Sequence, residues 1–136
     1  METWTVVKQF EEMARKISRS RGPDEIHPGQ WAVLRFIARS TQQGASVSCV
    51  ASHLGVTHGP ASRAVASLAA RGLVNVAADP NDRRSRRLSV AEAGQILLAN
   101  DPMLRLRSAI GTLSASQKSE LFDLLNIVFL ALGDTK

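Results

Sequence analysis

Residues 46–72 read SVSCVASHLGVTHGPASRAVASLAARG. Ser46 is a good helix N-cap, and Val47, Val50, Ala51 and Leu54 recur at the spacing of one helical face. Gly55 stops this short helix, Val56 plugs the turn, and Thr57 opens a second helix. There Ala61, Ala64, Val65 and Leu68 fall at i, i+3, i+4 and i+7, and Gly72 provides the C-terminal stop. Pro60 lies in the first turn, where backbone N–H groups lack intrahelical partners in any case. Because Pro60 supplies no N–H, the Thr57 hydroxyl is expected to cap toward Gly59.

After Gly72 the apolar period changes from helical to two. Val74 and Val76 alternate with Asn75 and Ala77, and Leu88 and Val90 alternate with Arg87 and Ser89. These runs flank a polar turn of Asp79, Pro80, Asn81 and Asp82, which reads as an antiparallel hairpin. Helix, short turn, helix and hairpin together form a winged helix-turn-helix, whose second helix enters the DNA major groove. Arg83, Arg84, Arg86 and Arg87 run from the hairpin tip down its returning arm.

The flanks read as helices. Trp4, Val7, Phe10, Met13 and Ile17 form one apolar stripe, and RGPDEIHPG breaks it. A helix starting near Pro28 has Trp31, Leu34, Ile37 and Ala38 on its inner side, and TQQGA reads as a loop. The chain turns helical again after Ala91, and Asp101-Pro102 interrupts or kinks it. A last helix begins near Ser114 or Ser116. Its residues Leu121 to Leu132 are apolar on nearly every side, so a second copy of the chain is expected to cover them. The expected fold is mainly α with a small β-hairpin wing, dimeric through its terminal helices. The expected segments are 1–26, an N-terminal helix joining the dimerisation region; 27–94, the DNA-binding winged helix; and 95–136, C-terminal dimerisation helices.

Composition narrows the function. At 136 residues the chain has the size of one ordinary domain, with a net charge of +5. Between His27 and Gly94 stand eight arginines against Asp79, Asp82 and Glu92, so the whole excess lies there, while basic and acidic residues elsewhere cancel. Every basic side chain in that segment apart from histidine is arginine, the residue that grips phosphate and guanine edges through a planar fork. A solvated basic surface is the ordinary alternative. No run reaches the roughly 18 apolar residues of a membrane span, no secretory signal pattern opens the chain, and one cysteine excludes an internal disulfide. A cytoplasmic protein without membrane contact is expected.

On the second helix, the stripe opposite the core is His58, Gly59, Ser62, Arg63, Ala66 and Ser67, small, polar or basic as a groove-entering face requires. The expected DNA contacts are Thr57, His58, Gly59, Ser62, Arg63 and Ser67 from this helix, with Arg83, Arg84, Arg86 and Arg87 from the wing. Arg83 and Arg84 suit the electronegative minor groove, and Arg86 and Arg87 suit phosphates. Asp79 and Asp82 are expected to bond local backbone N–H groups. No catalytic carboxylate pair, nucleophile motif or phosphate loop stands out, so no enzyme and no cofactor is expected. The aromatics fall on apolar faces, against single-strand binding. Two alternatives remain: a winged helix used for protein contacts, and a redox- or metal-responsive regulator through Cys49, with His53 one helical turn away. With no second ligand pair beside them, a metal site is not expected.

The stretch SVSCVASHLGVTHGPASRAVASLAARGLV, followed by DPNDRRSRRLSVAEAG, resembles the MarR family of bacterial transcriptional regulators. LSASQKSELFDLLNIVFLAL is similar to that family's last helix. The resemblance covers nearly the whole chain. It implies a homodimer with interlocked terminal helices binding a pseudo-palindromic operator in double-stranded DNA, most often as a repressor. Asp82 then matches the aspartate that supports the wing, and Arg84 the arginine placed in the minor groove. The family's responsiveness implies a small anionic or aromatic effector, for which the sequence marks no residues. Ala91 departs from the family's capping threonine, and Cys49 from its capping-box glutamate.

Overall fold

The computed structural model describes residues 1–17, 26–40 and 45–133. The loop expectations over 21–25 and 41–44 lie outside these residues. The chain divides into two compact units, one made of Met1–Ser20 with Pro102–Lys136 and the other of Arg21–Asp101.

In the central unit, α2 (Pro28–Arg39), α3 (Val47–Leu54) and α4 (His58–Ala70) precede a hairpin of β1 (Val74–Asp79) and β2 (Asp82–Val90), and α5 (Glu92–Leu98) follows; the first helix, α1 (Thr3–Ile17), belongs to the other unit. Trp31, Val33, Leu34 and Ile37 of α2 close over Val50 and Ala51 of α3, Ala61, Val65 and Leu68 of α4, and Leu73, Val74 and Leu88 of the hairpin. Removing these apolar groups from water is the main force holding the unit together. The inner side of α2 differs from expectation: Ala38 is exposed, whereas Val33 and Gln30 are buried.

Ser46 caps α3 as expected, its hydroxyl accepting from the Cys49 N–H at 3.1 Å. Gly55 ends that helix at φ 65°, a left-handed conformation that glycine adopts without a Cβ clash. Two expectations fail at the turn. Val56 does not plug it: its side chain is 42% exposed, facing an open cleft of about 390 Å³ beside Val33, Pro60 and Arg63. Thr57 takes the N-cap position of α4 with extended backbone, but its side chain makes no capping bond. The acceptor's usual target is missing, since Pro60 at the third helical position carries no N–H.

The strands pair antiparallel, with Val74 opposite Val90 and Val76 opposite Leu88. Leu88 packs into the core, and on the far side of β2 it pairs with Ala45 through two backbone hydrogen bonds of 3.3 and 2.7 Å. β1 is thereby the edge strand, and Val76 near its middle is exposed although its alternation resembles that of Val74. Ala91 stands at the N-cap of α5 without a side-chain cap. Its N–H instead donates to the Leu73 carbonyl at 3.0 Å, fastening α5 to the foot of the wing.

Gly94 completes that attachment. A Cβ built there would lie 2.3 Å from the Leu73 oxygen and 2.7 Å from Val90 Cγ1, so backbone would have to move. Gly94→Ala is expected to destabilise the central unit by about 2 kcal/mol, the ordinary cost of overpacking, read as a lower melting temperature.

Asp101 ends the unit. Its carboxylate takes both the Nε and an Nη of Arg35 at 2.6 Å, and the guanidinium lies 5.5 Å from the centre of the Trp31 ring. One of the arginines counted toward the basic excess is thus occupied inside the fold.

Asp101-Pro102 separates α5 of the central unit from α6 (Met103–Gly111), the first helix of the other unit after α1. Arg105 of α6 donates to the Lys16 carbonyl near the end of α1 at 3.3 Å, where a cation suits the negative end of the helix dipole. α7 (Ala115–Leu132) begins on a Ser114–Gln117 capping box, with the Ser114 hydroxyl accepting from Gln117 at 3.2 Å and the Gln117 side chain accepting from Ser114 at 2.9 Å. Phe122, Ile127, Phe129, Leu130 and Leu132 of α7 are each more than half exposed, as is Trp4 of α1. An apolar groove of about 500 Å³ opens between α1 and α7, lined by Val7, Phe10, Leu125, Val128, Phe129 and Leu132. Among the described residues, no helix is long and apolar enough to cross a membrane.

Candidate nucleic-acid interface

The outer stripe of α4 is open. His58, Gly59, Arg63, Ala66 and Ser67 are exposed and Ser62 is half-buried, while Thr57 is exposed just before the helix. The burial of Ala61, Val65 and Leu68 beneath them fixes which side faces out. Gly59 and Ala66 keep the surface low, so the helix backbone can approach another molecule closely. Arg63 folds back toward Gly59, where an added Cβ would meet its guanidinium at 3.5 Å.

The wing joins the end of α4, through Gly72 and a 3.0 Å bond from the Leu73 N–H to the Leu68 carbonyl. Its tip is irregular in a way the sequence pattern did not show. Ala78 pairs with Arg86, but the next partner pair is Asp79 with Asp82. Arg83, Arg84 and Ser85 are therefore extra on the returning arm, and both arginines are exposed. A bulge of this kind bends the strand and re-aims its side chains.

Both aspartates turn toward backbone. The Asn81 N–H donates to Asp79 Oδ1 at 2.9 Å, and the Arg84 N–H donates to Asp82 Oδ1 at 3.0 Å. Their charge is spent on ordering the tip, and Asp82 holds the backbone of the arginine two residues on. Asp79 also lies 3.7 Å from Arg87, which is half-buried, whereas Arg86 is exposed. Of the four wing arginines, Arg87 is the one partly held within the hairpin.

Cys49 is exposed at the start of α3, in a polar recess with Ser46, Asp79, Asn81, Arg86 and Arg87. Hydrogen bonds from the side chain and backbone of Ser46 hold its thiol below the ordinary cysteine value. His53 is not turned toward it as a fellow ligand: its ring stacks on Phe36 with centroids 4.4 Å apart. Among the described residues, no group of three or more His, Cys, Asp or Glu side chains is arranged to hold a metal.

Residues 25–85 match the sequence model of the MarR family. The matched stretch runs from just before α2 to the wing and includes the whole helix-turn-helix. Solved structures agree on the fold across nearly the whole chain. S. aureus MepR in a DNA complex is 18% identical with a TM-score of 0.73, covering 97% of this chain and 99% of that one. Streptococcus pneumoniae FabT in complex with DNA is 18% identical with a TM-score of 0.69, covering 98% and 94%. The PcaV transcriptional regulator from Streptomyces coelicolor, with its natural ligand, is 20% identical with a TM-score of 0.68, covering 97% and 94%. No protein of curated function matches the chain by sequence. This winged helix carries three features that sequence reasoning missed. The Arg83–Ser85 bulge left no pattern to read. The Arg35–Asp101 pair spans 66 residues, and only a polar residue amid an apolar helix hinted at it. Gln30 is buried on the core side of α2, and its place one turn before Leu34 could have marked it.

Proposed function

We propose that this chain is a transcriptional regulator that binds double-stranded DNA, and that it does so as a homodimer and represses. α4 lies in the major groove, presenting Thr57, His58, Gly59, Ser62, Arg63 and Ser67. The wing places Arg83 and Arg84 in the adjoining minor groove, and Arg86 and Arg87 along phosphates. The observation that carries this reading is the open, small-residue face of α4 together with an arginine bulge whose neighbouring aspartates are engaged with backbone. The DNA complexes of MepR and FabT support it.

The exposed apolar surfaces of α1 and α7, extensive for a lone chain in water, support the homodimer. A two-fold pair would place its α4 helices in successive major grooves, about 34–36 Å apart, and so favour a pseudo-palindrome. A small effector, as PcaV has its ligand, would act by shifting that spacing. The reading is of a binding protein, with no catalytic step and no cofactor.

Selection of bound fragments from the source genome tests it. Recovered duplexes should share a motif of two inverted half-sites, centred about one helical turn apart. Absence of any enriched motif would count against the reading.

A further inference from the structure

Gln30 lies in the first turn of α2, and only 7% of its surface is exposed. A buried amide has to find partners for its donor and its acceptor, and here both are met. Its Oε1 accepts from the His27 backbone N–H at 3.2 Å, and its Nε2 donates to Ser67 Oγ at 2.8 Å. The first bond settles the second. A backbone N–H can only donate, so the amide atom facing it is the carbonyl oxygen, which turns the NH₂ group toward α4.

This orientation has a consequence for Ser67. Its hydroxyl oxygen accepts along the line to α2, so its own proton cannot lie on that line. Ser67 is exposed on the outer stripe of α4, one helical turn beyond Arg63. We propose that Gln30 is a positioning residue that sets the polarity of Ser67, presenting its hydroxyl to the duplex as a hydrogen-bond donor. The proposal rests on the reading of α4 as the DNA-entering helix and deepens it. The partner on the duplex is an acceptor, either a phosphate oxygen or a base-edge acceptor such as guanine O6 or N7.

A double-mutant cycle separates this role from simple packing. Gln30→Met keeps an unbranched side chain of similar length in the core and removes the amide. On a duplex recovered by wild-type selection, Ser67→Ala and Gln30→Met should each weaken binding about fivefold. The double variant should bind no worse than Ser67→Ala alone. If Gln30→Met costs as much in the Ser67→Ala background as in the wild-type chain, Gln30 has a packing role and the proposal is overturned, as it is by no loss in either background. Gln30→Glu offers a second arm: two carboxylate oxygens would draw the Ser67 proton inward, so binding should fall further than for Gln30→Met. Binding by folded Gln30→Glu equal to that of wild type would also overturn it.

Repeating the selection with randomised duplexes identifies the acceptor. Loss of preference at one position per half-site in Ser67→Ala marks a base, and a uniform loss across sequences marks a phosphate. If wild-type protein enriches no duplex, the DNA reading itself fails. If it does and the cycle shows no coupling, the role of Gln30 alone is refuted.

Discussion

Replacing Arg83 and Arg84 together with alanine will weaken duplex binding about a hundredfold, and Arg84→Ala alone at least tenfold, while the oligomeric state stays unchanged. The expectation follows from where the two side chains stand. Both lie in the unpaired bulge of β2 and are exposed, so neither supports the hairpin through packing. What they would lose is attraction to the electronegative minor groove and the release of counterions that accompanies it. Asp82 would continue to order the tip through the backbone N–H of residue 84, which alanine retains. Mobility shift beside size-exclusion chromatography checks both halves of the statement. Undiminished affinity would remove the wing from the interface.

Phe129→Glu is expected to act on assembly instead, producing a monomer and reducing duplex affinity more than a hundredfold. Phe129 is 70% exposed and lines the groove between α1 and α7. In a dimer it would be desolvated, and a buried unpaired carboxylate there costs several kcal/mol. The winged helix would remain folded, because its core draws on α2, α3, α4 and the hairpin. Affinity would fall because one half-site contact replaces two linked ones, and linkage multiplies binding through effective concentration. Sedimentation analysis measures the first effect and fluorescence anisotropy the second. A Phe129→Glu protein that remains dimeric would place the dimer contact elsewhere.

The central helices were legible because local chemistry and burial agree there. Ser46, Gly55 and Gly72 punctuate α3 and α4, and the three- and four-residue spacing of Ala61, Val65 and Leu68 specifies one inner face. The hairpin was legible from its alternation, but alternation does not distinguish an edge strand from a central one. Val76 and Leu88 have the same pattern and face each other across the ladder, yet Ala45 pairs beyond β2 and leaves Val76 on the outer strand. Thr57 shows a second limit: a capping residue needs a donor, and Pro60 withholds one. Arg35 shows a third, since counting charge along a chain does not reveal an ion pair made with a residue far away in sequence. For the candidate interface, the exposed stripe and the wing arginines could be read from the sequence, while the bulge and the Gln30–Ser67 bond depend on how separate elements meet.

If the α4 stripe and the wing together grip duplex DNA, binding must respond to salt. The most direct measurement is the affinity of the full chain for a recovered duplex across a series from about 50 to about 200 mM salt. The expected result is a linear fall of log affinity with log salt, with a slope of several units that becomes shallower in the Arg83→Ala/Arg84→Ala protein. Binding that does not respond to salt, or a slope that these two substitutions leave unchanged, would contradict it.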